Sequence, residues 1–237
     1  MDAAEAQSRP RARLLASAGD SGWLADAARI LRELGFVVDI DVGAPATDLA
    51  AEADLVLASA AAGVPSTLMH AWRTRGAVCA VVLPPGADAE AAAVRAPVTE
   101  AALLALLAGQ HYVALSAREA AGIAPAIAAQ TFGNPAFADE LLQALVSSTR
   151  DDLAQLRHAG TDLETVRGVA HRLKASAHYV GCHALRRMAQ RLEHAARDGD
   201  AATAAALTAI VAPTAARLLG LLASLPAADH SGHAAAK

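Results

Sequence analysis

Between Val166 and Ala177 the apolar residues fall at helical spacing. Val166, Val169, Ala170, Leu173 and Ala177 make one continuous stripe on a helix that turns about 100° per residue. A helix with one apolar face must bury it against other elements, so this part of the chain is predicted to be a packed helical assembly. His171 stands on the opposite side. Arg167, Gly168, Lys174, Ala175 and His178 all lie within about 60° of it. The ring is therefore expected to face solvent between basic residues and small ones. Small neighbours leave room for another protein to approach, and the cations can hold an anion on the ring.

The rest of the second half extends the helical reading. Asn134-Pro135 places a capping residue before a proline at the first helical position, opening a helix to about His158. Gly160 ends it, and Thr161-x-x-Glu164 reads as a capping box opening the His171 helix. Gly181 breaks that helix. A third runs from Cys182 to Arg197, and Asp198-Gly199-Asp200 turns into a last helix ending near Leu225, with a kink expected at Pro213. Four helices joined by short loops predict an all-α up-down bundle over residues 133–226.

The first half alternates strand and helix signals. Strands are predicted at 13–16, 36–40, 55–57, 77–83 and 93–95. Helices are predicted from Asp20 or Ser21 to Leu34 with Gly35 as stop, from Ser66 to Arg75, and from Thr99 to Ala108. Such alternation implies parallel β-α-β crossovers and a small doubly wound α/β domain over residues 12–108. Residues 109–132 are read as a partly helical connector, and 227–237 as a disordered tail.

The chain has 237 residues and a net charge of −4, which gives no reason to expect nucleic acid. It is 54% hydrophobic but 3% aromatic, and alanine, a helix former, supplies much of the apolar count. Cys79 and Cys182 lie in different predicted domains, so no disulfide and a reducing cytoplasm are expected. Met1 to Arg13 lacks the apolar core of a signal peptide, and no membrane-spanning helix or membrane partner is expected.

The run Ala170-His171-Arg172-Leu173-Lys174-Ala175-Ser176-Ala177, with Gly181 and later Leu192-Glu193, resembles the histidine phosphotransfer (HPt) domain family over about residues 134–225. Ala175 departs from the glycine usual there. The resemblance implies that His171 is a phosphoacceptor and that Lys174 reaches the phosphoryl oxygens. It also implies that Glu193 approaches and orients the ring, and that Ser176, off the histidine face, makes a structural hydrogen bond. Arg167, Gly168, Ala175 and His178 are expected on the docking surface. No cofactor is expected. The implied partners are the receiver domain of a hybrid histidine kinase and a downstream response regulator, which bring the metal and the lysine of the transfer step. The chain would be a stoichiometric carrier, not a turnover enzyme.

The order of elements in residues 12–108 resembles a response-regulator receiver domain, with Asp54-Leu55-Val56-Leu57 as the central strand and Ala96-Pro97-Val98 as the late turn. The receiver's chemistry is absent from the corresponding positions. The phosphoacceptor aspartate is replaced by Ser59 (or Ala58), the acidic pair by Ala18-Gly19 with Asp20 beyond, and the lysine by Ala96. A pseudo-receiver without a Mg²⁺ site is expected. Three other readings compete. In one the chain is a scaffold or anti-activator that binds through this domain. In another it is the C-terminal part of a hybrid sensor kinase. In the third, His178, Cys182 and His183 form a metal site, which Gly181 and the want of a second ligand pair disfavour.

Overall fold

The computed structural model describes residues 9–20, 22–43, 53–87 and 93–225. The chain divides into two compact units, Met1–Tyr112 and Val113–Lys237.

In the first unit, strands β1 (Arg11–Ala16), β2 (Val37–Val42), β3 (Leu55–Ser59), β4 (Val78–Leu83) and β5 (Ala93–Arg95) form one parallel sheet in the order β2-β1-β3-β4-β5. All four pairings are parallel. Helices α1 (Leu24–Glu33), α2 (Ser66–Thr74) and α3 (Glu100–Gly109) belong to the crossovers. The central strand β3 is buried along its whole length, as a strand covered on both faces must be. Leu15, Val56 and Ala58 pack with Leu68, Met69 and Trp72 of α2 in one apolar cluster. This is the doubly wound, receiver-like arrangement that the strand spacing predicts.

One start signal in this unit is displaced. The helix expected to be capped by Asp20 or Ser21 begins at Leu24, with Trp23 as its N-cap and no side-chain cap. The Asp20 N–H instead bonds back to the Ser17 carbonyl in a turn, and Ser21 lies outside the described residues. Thr99 caps α3 as expected.

The second unit contains α4 (Ala117–Gln130), α5 (Pro135–His158), α6 (Leu163–Tyr179), α7 (His183–Arg197) and α8 (Ala201–Ser224). Residues 113–130, read from sequence as connector, belong to this unit. Ser116 and Glu119 form a full capping box at the start of α4, and Ile123 and Ile127 are buried. The buried Glu119 carboxylate also accepts the backbone N–H of Ala184 at 2.9 Å, so α4 caps the N-terminus of α7. Burial pushes the Glu119 carboxyl above its ordinary range, against the hydrogen bonds from Ala184, Ser116 and His183. The Ala114 N–H donates to Thr214 Oγ1 at 2.9 Å, tying the start of this segment to α8.

Helix α8 is long and apolar enough to cross a membrane by length and composition alone. Here it lies in the bundle, with Leu207, Ile210, Val211, Leu218 and Leu222 among its buried residues. Pro213 sits inside α8 without ending it. Cys79 and Cys182 are free and buried. Burial raises their thiols to about 11 and about 12 respectively, so neither is a thiolate near neutral pH. The tail from 227 onward lies outside the described residues.

Candidate functional site

Helix α6 starts at Asp162, whose carboxylate accepts the backbone N–H groups of Glu164 and Thr165 and the Thr165 hydroxyl. The capping box expected at Thr161 is therefore replaced by a cap one residue later. Asp162 wins because its single carboxylate serves three donors at once. These bonds, the Thr165 hydroxyl foremost, lower the Asp162 carboxyl below its usual range. The predicted stripe is buried: Val166, Val169, Ala170, Leu173 and Ala177 all lie in the core. It meets Ala184, Leu185, Met188, Ala189 and Leu192 of α7, the helix that packs most extensively on α6. Gly181 makes the turn between them in the left-handed region, at φ 71°, which a side chain would strain.

This antiparallel hairpin leaves a polar seam on its outer side. The His171 side chain is 66% exposed, and its Nδ1 lies 2.9 Å from Glu193 Oε1. Lys174 Nζ donates to Glu193 Oε2 at 2.5 Å. One carboxylate thus bridges the ring and the ammonium. Burial works to raise the Glu193 carboxyl, but the hydrogen bonds from Lys174 and His171 prevail and hold it below its ordinary value. Glu193 is therefore ionised at neutral pH and can only accept, so in the neutral ring of His171 it is Nδ1 that carries the proton. That leaves the lone pair on Nε2, the nitrogen away from Glu193.

His178 lies two turns along the same face and provides the contrast. Its Nδ1 is 3.2 Å from Arg186 Nη1. A guanidinium can only donate, so here Nδ1 accepts and the proton of a neutral ring sits on Nε2. The two histidines are held in opposite tautomers by what α7 places opposite them.

Among the other residues singled out from sequence, Ala175 is exposed and Gly168 half-buried beside the ring. Arg167 is engaged by Glu164 at 2.6 Å. Ser176 is buried on the core side of α6, away from the exposed ring. Among the described residues no three His, Cys, Asp or Glu side chains gather to hold a metal. Cys182 is buried and His178 faces Arg186, so the His178-Cys182-His183 grouping is not assembled.

Sequence reasoning missed the clamp behind the ring. Arg172 Nε donates to Asp152 Oδ1 at 2.6 Å and Arg172 Nη2 donates to Gln155 at 2.8 Å, fixing α6 to α5. The signal was available. Asp152 falls in the row Leu145, Thr149, Asp152, Leu156, and a carboxylate at a core position calls for a cation on the facing helix. In the first unit, Ser59 closes β3 with its hydroxyl buried and, among the described residues, without a hydrogen-bond partner. Ala58 packs in the apolar cluster, Ala18 and Gly19 follow β1, and Ala96 follows β5.

A family model described as the Hpt domain matches residues 140–228. These residues form an Hpt domain. Neither the curated proteins nor the solved structures contain a match to the chain. The Hpt match spans α5 to α8, and the exposed His171 with its Glu193 and Lys174 neighbours lies inside it. Hpt domains act in histidine phosphotransfer and work with receiver domains of two-component proteins, as carriers and not as conventional enzymes. The first unit shares the receiver-like sheet but has no family match of its own.

Proposed function

We propose that this protein is a phosphorelay intermediate that takes a phosphoryl group onto His171 Nε2 from one receiver aspartate and passes it to another. The observation that carries the reading is the pairing of His171 Nδ1 with an ionised Glu193. In the neutral ring this leaves the Nε2 lone pair free to act as a nucleophile without any base, on a side chain that is largely exposed. In the accepting step the Nε2 lone pair attacks phosphorus, the Nε2–P bond forms, the P–O bond to the partner's aspartate breaks, and the aspartate leaves as a carboxylate. Lys174 spends one of its three donors on Glu193 and has others to offer the phosphoryl oxygens. Gly168 and Ala175 leave the approach to the ring low, and Arg167 and His178 border it.

The upstream partner is a receiver domain of a hybrid histidine kinase and the downstream one a response regulator. A cytoplasmic site fits partners of this kind and two buried free thiols. The first unit acts as a pseudo-receiver that docks or packs but takes no phosphate. Ser59, Ala18, Gly19 and Ala96 offer neither the carboxylates for a divalent cation nor the cation for a phosphoryl charge.

The test is transfer from a phosphorylated receiver, following base-stable, acid-labile label. Wild-type protein should take up label and His171→Gln should not. Equal uptake by His171→Gln would overturn the assignment.

A further inference from the structure

We propose that Glu193 holds the proton on Nδ1 of the phosphorylated His171 ring and thereby keeps the domain a competent phosphoryl donor above neutral pH. The inference rests on His171 being the phosphoacceptor and concerns the second half of the relay. Once Nε2 has bonded to phosphorus, the ring carries its Nδ1 proton and a positive charge. In the onward step an acceptor oxygen attacks phosphorus, the Nε2–P bond breaks, and its electron pair returns to Nε2. With Nδ1 still protonated the leaving group is neutral imidazole. Without that proton it is an imidazolate anion, a far poorer leaving group. A ring that loses its proton is a trapped phosphohistidine.

The structure places one anion where that proton must be kept. Glu193 Oε1 faces Nδ1 at 2.9 Å, and Oε2 is fixed by Lys174 at 2.5 Å, so the ring-facing oxygen is set in place. Helix α7 also carries Arg187, Arg191 and His194, and several other charged groups of the packed helices are engaged. Arg167 is bound by Glu164, and Arg197 of α7 is bound by Asp198. On α5, Asp152 is bound by Arg172, and on α4, Glu119 caps α7. The only charged residue of α8 is Arg217. His178 shows the alternative on the same face: its Nδ1 meets the guanidinium of Arg186, which repels a ring proton instead of retaining it. The same helix face thus presents two rings, and one meets an acceptor.

The full chain is loaded with phosphoramidate, and loss of phosphohistidine is followed by ³¹P NMR across the pH range on either side of neutrality. In the wild type the rate should stay high to a pH about one unit or more above that at which Glu193→Ala falls, the size of shift an opposite charge in contact produces. Glu193→Gln keeps an acceptor of the same shape but no charge, and should fall between the two, which guards against misfolding of the alanine variant. Superimposable profiles with label on His171 would overturn this inference alone. Loading of His171→Gln at the wild-type level would instead overturn the phosphoacceptor reading, and this inference with it.

Discussion

Arg172 Nε donates to Asp152 Oδ1 at 2.6 Å, one residue along the chain from the exposed His171. The aspartate side chain is 3% exposed and the arginine 48%, so the clamp runs from the surface into the α5–α6 contact. Burial raises the Asp152 carboxyl above its ordinary value, and Arg172 opposes that rise. Because the folded form binds this proton more tightly than the unfolded chain does, ionisation of Asp152 costs stability as pH rises through the raised value. Arg172 offsets that cost.

Arg172→Met should therefore destabilise the protein by about 2–3 kcal/mol at neutral pH, at the low end for a buried pair because half the arginine is in water. The deficit should shrink as the medium is made mildly acidic, where Asp152 takes a proton. Urea denaturation at the two pH values reads it. A deficit unchanged by pH would mean that the clamp works by packing and not by charge.

Glu119→Ala should cost about 1–3 kcal/mol, because it leaves the Ala184 N–H at the start of α7 buried and unpaired. Thermal unfolding measures it. A loss below a few tenths would show that α4 is dispensable to the bundle.

Lys174→Ala should slow phosphotransfer by about one to two orders of magnitude, as expected for a charge-assisted contact of about 1–3 kcal/mol in the transition state. Rapid-quench kinetics with a phosphorylated receiver provide the measurement. Unchanged kinetics at unchanged stability would remove Lys174 from the site.

The degenerate first unit should stay unlabelled by acetyl phosphate with Mg²⁺, both as wild type and as Ser59→Asp. The new carboxylate would still lack the acidic pair that Ala18-Gly19 replaces and the lysine that Ala96 replaces. Aspartyl label within residues 1–112 of the wild type would show a working receiver.

The sequence makes the His171 face legible because everything on it lies within two turns of one helix. Local periodicity places Lys174, Ala175 and His178 beside the ring with no knowledge of the fold. Glu193 is different. It lies on another helix, and only the family pattern pointed to it. Contacts that depend on how two helices align, Asp152 with Arg172 and Arg186 with His178, are invisible to single-helix periodicity. The box Ser116-x-x-Glu119 was a local signal for α4 that the connector reading passed over. Its further role was not legible, since Glu119 also serves Ala184, 65 residues away. The strands were found to within a few residues because buried parallel strands are short apolar runs. Helix starts were less secure, as at Leu24 and Asp162, because neighbouring polar residues compete for the same free N–H groups.

The most direct test of the account is to map where the phosphoryl group sits. The chain holds nine histidines. After loading with phosphoramidate, mass spectrometry of the intact and fragmented protein together with ³¹P–¹⁵N NMR should find one phosphate, on His171, bonded through Nε2. Phosphate on His178 or another histidine at a comparable level, or bonding through the Nδ1 that Glu193 occupies, would contradict it.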